Sequence, residues 1–207
     1  NQGRTVTLLA SDKAVIALFA VADTIKASSK QAVAELIALG VTPVMLTGDN
    51  VATALTVAKL AGISDARGNL LPEDKLKAIE DMQKRYGATA MTGDGINDAP
   101  ALAKADIGFA MGGAGTDTAM EAADIAVMND DLRRIPETIR LSKRTHAILW
   151  QNITLALGIK VVFMGLALFG SATMWMAVFA DMGASLLVVF NGLRLLQTSE
   201  LSQKSVN

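Results

Sequence analysis

The sequence contains no cysteine, so neither a disulfide nor a thiolate metal site can be built from these residues alone. Nor does either sign of charge prevail. Lys and Arg number 19 against 20 Asp and Glu, so the basic surplus that a nucleic-acid binder needs is missing. Internal repeats and low-complexity tracts are also absent. The first residues, "NQGRTVTLLA", carry no initiator methionine and no signal peptide; they open on a strand-like run, as expected of a piece of a longer protein. The one histidine, His146, sits on a basic segment and reads as an interfacial residue rather than a ligand.

What the chain does have is apolar residues. They make up 51% of 207, and the mean hydropathy of +0.37 is high for a purely soluble protein. The excess lies in the last third. The length suits one ordinary domain plus an appendage.

From residue 5 to 128 short apolar runs alternate with helical segments. "TVTLLA" and "AVIALFAVAD" read as strands joined by a Ser-Asp-Lys turn. "SSKQAVAELIALG" carries a Ser28-x-x-Gln31 capping pattern and a stop at Gly40. "VTPVML" reads as a strand with Pro43 near its start, and "NVATALTVAKLAGI" as a helix ending at Gly62. "PEDKLKAIEDMQKRYG" is a helix with Pro72 in its first turn and Gly87 closing it. "ATAM", a helix over Ala99 to Ala105, "IGFA", a Gly-rich turn, a short helix and "IAVM" follow. The alternation predicts an α/β fold with a parallel sheet covered on both faces, which binds ligands at the carboxyl ends of its strands.

After Asn129 the pattern changes. "DDLRRIPETIRLSKRTHAILWQN" is basic and amphipathic. "ILWQNITLALGIKVVFMGLALFG" and "TMWMAVFADMGASLLVVFNGLRLL" are each long enough to span a bilayer, which takes roughly 20 residues. Between them lies only Ser171-Ala-Thr173, beside Gly170, as a tight reversal. Arg140, Lys143 and Arg144 precede the pair and Arg194 follows it, so the positive-inside rule puts both outer ends in the cytoplasm. The alternative is a buried helical hairpin inside a large soluble protein. Trp150 and Trp175 suit interfacial belts, and Met164, Met174, Met176 and Met182 read as packing residues.

Two strands end in nearly the same words, "VMLTGDN" and "TAMTGDGINDAPAL". A hydroxyl and an unobstructed backbone N–H just past a parallel strand can hold a phosphoryl oxygen. In the second loop Gly93 and Gly95 bracket Asp94, with Asn97 and Asp98 within a turn. Hard oxygen ligands clustered in this way suit Mg²⁺. Lys75, early in the intervening helix, is placed to add positive charge, completing an electrostatic clamp for phosphoryl transfer. Taken singly, Lys75 also reads as a solvated helix residue and Asp98 as a helix cap. "GGAGTD", with Gly112, Gly113 and Gly115, makes a turn but lacks the strand and downstream acid of a dinucleotide fingerprint.

"MLTGDN", "LPEDKL" and "MTGDGINDAPALAKADIGFAMG" resemble the phosphorylation domain of P-type ATPases, a haloacid-dehalogenase-like Rossmannoid fold. The resemblance implies that Thr47 and Gly48, with Asp49 beside them, contact an aspartyl phosphate, that Lys75 stabilises it, that Asp94 ligates Mg²⁺ with Asp98 nearby, and that Asn97 supports the cluster. The family's phosphorylated Asp-Lys-Thr-Gly-Thr motif and its Thr-Gly-Glu actuator loop are not in this sequence. The expected layout is therefore the exit of a nucleotide-binding domain and return strands over 1–20, the rest of a partial phosphorylation domain over 21–145, a two-helix transmembrane hairpin over 146–197 and a cytoplasmic tail over 198–207. The chain alone is not expected to hydrolyse ATP.

Asp181 stands inside an apolar run. At 1.5 Å per residue Lys160 lies roughly 15 Å from Gly170 and Asp181 roughly 12 Å from Thr173, matching depths near the middle of a bilayer. Ionisable groups there are costly and face a pathway or one another. An Asp–Lys pair neutralises itself when empty, and a divalent cation can displace the ammonium; a purely structural ion pair is the alternative. "NITLALGIKVVF" and "ADMGASLLVVFNGLRLL" resemble the last two membrane helices of the zinc, cadmium and lead exporters. Copper exporters carry Met at the position of Asp181 and Ser-Ser at Ala184-Ser185. A carboxylate suits Zn²⁺, a thioether Cu(I). The resemblance implies a multi-pass pump of the plasma (inner) membrane that uses ATP and Mg²⁺ and moves Zn²⁺, Cd²⁺ or Pb²⁺, with Asp181 as ligand and Lys160 as its charge partner. Its partners would be membrane lipid and the remaining actuator, nucleotide-binding and transmembrane parts, and not nucleic acid. A copper or potassium pump, a soluble phosphatase of the same superfamily and a non-catalytic binding module are the alternatives.

Overall fold

The computed structural model describes residues 5–12, 14–21, 25–94, 96–112, 117–170 and 173–196. The readings that rest on Gly95, Gly113, Gly115, Ser171 and the tail over 198–207 lie outside these. The chain divides into two compact units, residues 1–136 and 137–207. The basic segment over 137–145 falls in the second of these units.

In the first unit β1 (Thr5–Ala10) and β2 (Val15–Val21) form an antiparallel hairpin, with Leu8 opposite Leu18. Helix α1 (Ala27–Ala38) leads to β3 (Val44–Leu46), α2 (Val51–Ala61), β4 (Asp65–Arg67) and α3 (Pro72–Tyr86). Strand β5 (Ala90–Gly93) follows, then a 3-10 turn over Ile96–Asp98, α4 (Ala99–Lys104), β6 (Ile107–Met111), α5 (Asp117–Ala122) and β7 (Ile125–Val127). β3 and β4 pair in parallel, as do β5, β6 and β7 in that order. The expected parallel strands are present, but the described strands form three separate sheets rather than one. What joins β3 to the β5 sheet is side-chain packing. Ile79, Met91, Ala101 and Leu102 form a buried cluster against which Leu46, Ala105 and Ala122 pack. Leu102 is wholly inaccessible, and burying one such side chain stabilises by about 2 kcal/mol.

Local signals explain most boundaries. Asn50 caps α2, its Oδ1 accepting from Thr53 N–H at 2.9 Å, and Gly62 ends the helix in the left-handed region at φ +84°. Asp74 Oδ2 accepts from the Leu71 N–H at 3.1 Å, fixing the entry to α3 behind Pro72. Two expectations are corrected, and one strand appears that the sequence did not announce. The Ser28/Gln31 capping box does not form. Lys26 is the cap position of α1, which places Ser28 inside the first turn, and Gln31 instead donates to Glu35 at 2.9 Å. "ATAM" gives way to a strand two residues further on, because β5 takes its register from β6, Ala90 facing Ile107 and Gly93 facing Ala110. Strand β4 has no apolar signature at all; Asp65, Ala66 and Arg67 are a strand because their backbone pairs with β3.

In the second unit α6 (Arg134–Leu168), which starts at the unit boundary, runs unbroken for 35 residues, so the basic segment and the first apolar span are one helix. After Gly170, at φ +69°, Thr173 caps α7 (Met174–Leu193) by accepting from Met176 N–H at 3.4 Å. Both helices are long and apolar enough to cross a membrane, and only 6% of each apolar window is buried. Phe169, Trp175 and Phe179 are largely exposed. These apolar faces are not covered by the chain itself.

Candidate functional site

Thr47, Gly48 and Asp49 follow directly on the carboxyl end of β3. The loop is held from the side by the segment after β4. Thr47 N–H donates to the Arg67 carbonyl at 3.0 Å, Leu70 N–H to the Thr47 carbonyl at 3.1 Å, and Asn69 N–H to the Asp49 carbonyl at 2.6 Å. Gly68 permits this approach, since a Cβ there would lie 2.8 Å from Asp49 O and from Val51 N and Cα. Within the loop Thr47 Oγ1 donates to Asp49 Oδ2 and accepts from Asp49 N–H, each at 3.1 Å. Asp49 therefore sets the Thr47 rotamer. Among the described residues the Gly48 N–H has no partner, which leaves one backbone donor at the strand end.

At the carboxyl end of β5, Asp98 is buried and Lys75 reaches it from α3, Nζ to Oδ1 at 2.7 Å. Their side chains are 14% and 12% exposed, so Lys75 is not the solvated helix residue that its sequence alone allows. Asp98 occupies the cap position of α4 yet makes no side-chain cap hydrogen bond, so the capping role is not filled. Its carboxylate lies across Gly93, where a Cβ would come within 2.7 Å of Asp98 Cβ and Oδ2. Asp94, next in the chain, is exposed, as is Asn97, and neither side chain has a partner among the described residues. The structure thus brings Lys75 and Asp98 together and leaves Asp94 open to solvent.

The donor chemistry can be tested against Mg²⁺. The ion takes one or two carboxylates and completes its octahedron with phosphate and water. Asp94, exposed and unpartnered, fits as such a carboxylate. Asp98 is already neutralised by Lys75, so it fits better as the group that orients that ammonium. Among the described residues no three acidic or imidazole side chains gather as a metal cage.

Beneath β5, Asp106 is held by main chain and side chain together. Thr89 N–H donates to its Oδ2 at 2.8 Å and Gln83 Nε2 at 3.1 Å. The Thr89 amide first, then Gln83, keep its carboxyl below the usual carboxylate range. Sequence reasoning missed Asp106, although an acid between a helix and a buried strand was a legible signal. Asp131 is likewise lowered, chiefly by Arg133, whose guanidinium lies 2.7 Å away.

On the apolar helices, Asp181 and Lys160 are both exposed and form no ion pair with each other. The Asp181 carbonyl accepts from Ser185 Oγ at 2.9 Å, which leaves its carboxylate unengaged. The matching depths expected from sequence are therefore not accompanied by contact.

Comparison with known proteins gives a consistent picture. A family profile for haloacid dehalogenase-like hydrolases matches residues 1–106. A probable cadmium-transporting ATPase of Alkalihalophilus pseudofirmus is 48% identical over 97% of this chain and 28% of its own length. A zinc/cadmium/lead-transporting P-type ATPase of Escherichia coli is 46% identical over 95% of this chain and 26% of its own. The crystal structure of a zinc-transporting PIB-type ATPase in its E2.Pi state superposes with a TM-score of 0.85 at 46% identity, covering 94% of this chain and 32% of that one. The chain thus spans little more than a quarter of the length of the curated relatives it matches.

Proposed function

The chain belongs to the haloacid dehalogenase-like hydrolases, and we propose that it is the C-terminal part of a P-type ATPase, an ATP-driven export pump for zinc, cadmium or lead. The observation that carries this reading is the continuity of the likeness. One stretch at 46–48% identity includes both the β5 loop, with Asp94 and the Lys75–Asp98 pair, and the apolar helices that bear Lys160 and Asp181.

In the whole pump the Gly48 N–H would receive a phosphoryl oxygen at the end of β3, and the Thr47 hydroxyl would do so by turning its one hydrogen away from Asp49 Oδ2 while still accepting from the Asp49 N–H. Asp98 would hold the Lys75 ammonium towards the same point. Asp94 is the residue that would hold Mg²⁺, with Asn97 beside it. When bound, the ion supplies neutralising charge to a transferring phosphoryl group. Asp181 would offer a hard oxygen to a divalent cation, with Lys160 at similar depth as the alternative counter-charge. The hairpin would cross the plasma membrane with both outer ends cytoplasmic, as the basic residues at 140, 143, 144 and 194 favour.

The test is metal-stimulated ATP hydrolysis by the whole pump. Zn²⁺, Cd²⁺ and Pb²⁺ are expected to stimulate it and Cu⁺ and K⁺ not to. Asp181→Ala is expected to abolish the Zn²⁺ response while Met176→Ala keeps it. A Zn²⁺ response that survives Asp181→Ala removes Asp181 from the transport path.

A further inference from the structure

The apolar helices share a polar knot that neither the phosphate loops nor Asp181 uses. Asn191 on α7 donates through Nδ2 to Asn152 Oδ1 at 2.9 Å and to Gln151 Oε1 at 3.2 Å on α6. Its Oδ1 accepts from Arg194 Nη1 at 3.0 Å, and Arg144 Nη2 reaches across to the Arg194 carbonyl at 3.1 Å. The Asn191 amide thereby engages both of its hydrogens and its oxygen. Residues 144, 151 and 152 lie on one stripe of α6, and 191 and 194 on one stripe of α7, so these polar groups converge from two facing surfaces.

The rest of the pairing has no such direction. Among the described residues between Ile153 and Phe190, no hydrogen bond or ion pair joins the two helices. In lipid, apolar helices gain nothing from hiding from their surroundings, and Leu, Val and Phe surfaces slide past one another with little penalty. An amide held at three points cannot slide. We infer that Asn191 is the positioning residue of the hairpin: its amide fixes the register of α7 on α6. Asp181 lies roughly 15 Å along the same helix, so this register also sets the depth at which it stands relative to Lys160. Only that last consequence rests on the transport reading.

The absence of cysteine makes the test clean. Leu157→Cys and Leu186→Cys introduce two labelling sites into the 207-residue chain; both positions are exposed. The doubly spin-labelled chain is placed in nanodiscs of phosphatidylcholine and phosphatidylglycerol, and the label distance is read by double electron–electron resonance. One narrow distance is expected, retained in Asn191→Gln, which keeps an amide. Asn191→Leu is expected to broaden the distribution at least twofold or to shift it by about one helical turn, roughly 5 Å. Asn152→Leu, which cuts the same bond from the other helix, should do likewise with helicity unchanged by circular dichroism. An unaltered distance in both leucine variants overturns the inference, whatever the pump does with zinc. In the whole pump, Asn191→Leu is expected to raise the Zn²⁺ concentration for half-maximal ATPase at least fivefold with the maximal rate nearly kept. Failure of Asp181→Ala to alter the zinc response would defeat the transport reading and leave the distance result standing.

Discussion

Lys75 Nζ and Asp98 Oδ1 stand 2.7 Å apart in a setting that leaves about one seventh of either side chain to water. The pair ties α3 to the turn after β5 and neutralises Asp98 where it lies over the strand end. Removing one partner leaves the other charged and poorly solvated. Lys75→Met or Asp98→Leu is expected to destabilise by about 3 kcal/mol, and the double variant by clearly less than the sum. Thermal unfolding of the chain in detergent, followed by circular dichroism, checks this; additive losses would mean that the two charges act independently.

Gly93→Ala acts on the same pair through space rather than charge. Its methyl would stand 2.7 Å from Asp98 Cβ and Oδ2, so Asp98 has to leave. The expected loss is about 2 kcal/mol, and it should shrink when Lys75→Met is already present, because the ion pair can be lost only once.

The Asn50 cap offers a smaller, cleaner effect. Asn50→Ala removes the acceptor of Thr53 N–H and should cost about 1 kcal/mol, whereas Asn50→Asp should cost little. The same unfolding measurement separates the two.

Asp106 sets part of the acid sensitivity. Its carboxyl is held below the ordinary range by the Thr89 amide and by Gln83, so the folded state favours its ionised form. A depressed folded value contributes stability that is present above the unfolded carboxylate pKa, about 3.9, and lost as pH falls through the folded one. Asp106→Asn should therefore be less stable than the parent at neutral pH, with the difference closing below pH 4. Unfolding midpoints measured from pH 7 to pH 3 check the sign. Asp131→Asn should follow the same direction through loss of Arg133.

Much of this was legible from the residues. The Thr-Gly-Asp strand ends, Lys75 between them, the glycine stops and the two apolar spans all carry local signals, namely an apolar run, a cap or a breaker. What escaped was non-local. Strand β4 is written in polar letters and exists only because β3 offers it a backbone partner. Asp98 reads from the sequence as an oxygen ligand beside Asp94, and only the folded chain shows Lys75 placed against it. Lys160 and Asp181 share a depth by counting, yet depth says nothing of the angle about each helix axis, and they make no contact. Asn191 gave no signal beyond being polar near the end of an apolar helix.

The loop after β3 takes its shape from amides and carbonyls of residues 67, 69 and 70, not from their side chains. Side-chain chemistry at those positions does not touch the loop directly; it enters through the backbone conformations they must adopt. Asn69 stands at φ +56°, where Asn or Gly is favoured, Arg67 also pairs with Asp65 at 3.2 Å, a proline would remove the N–H at 69 or 70, and Gly68 is barred from growing. The loop's form is thus written in the backbone of a neighbouring segment, with glycine and asparagine at 68 and 69 as the letters that matter most.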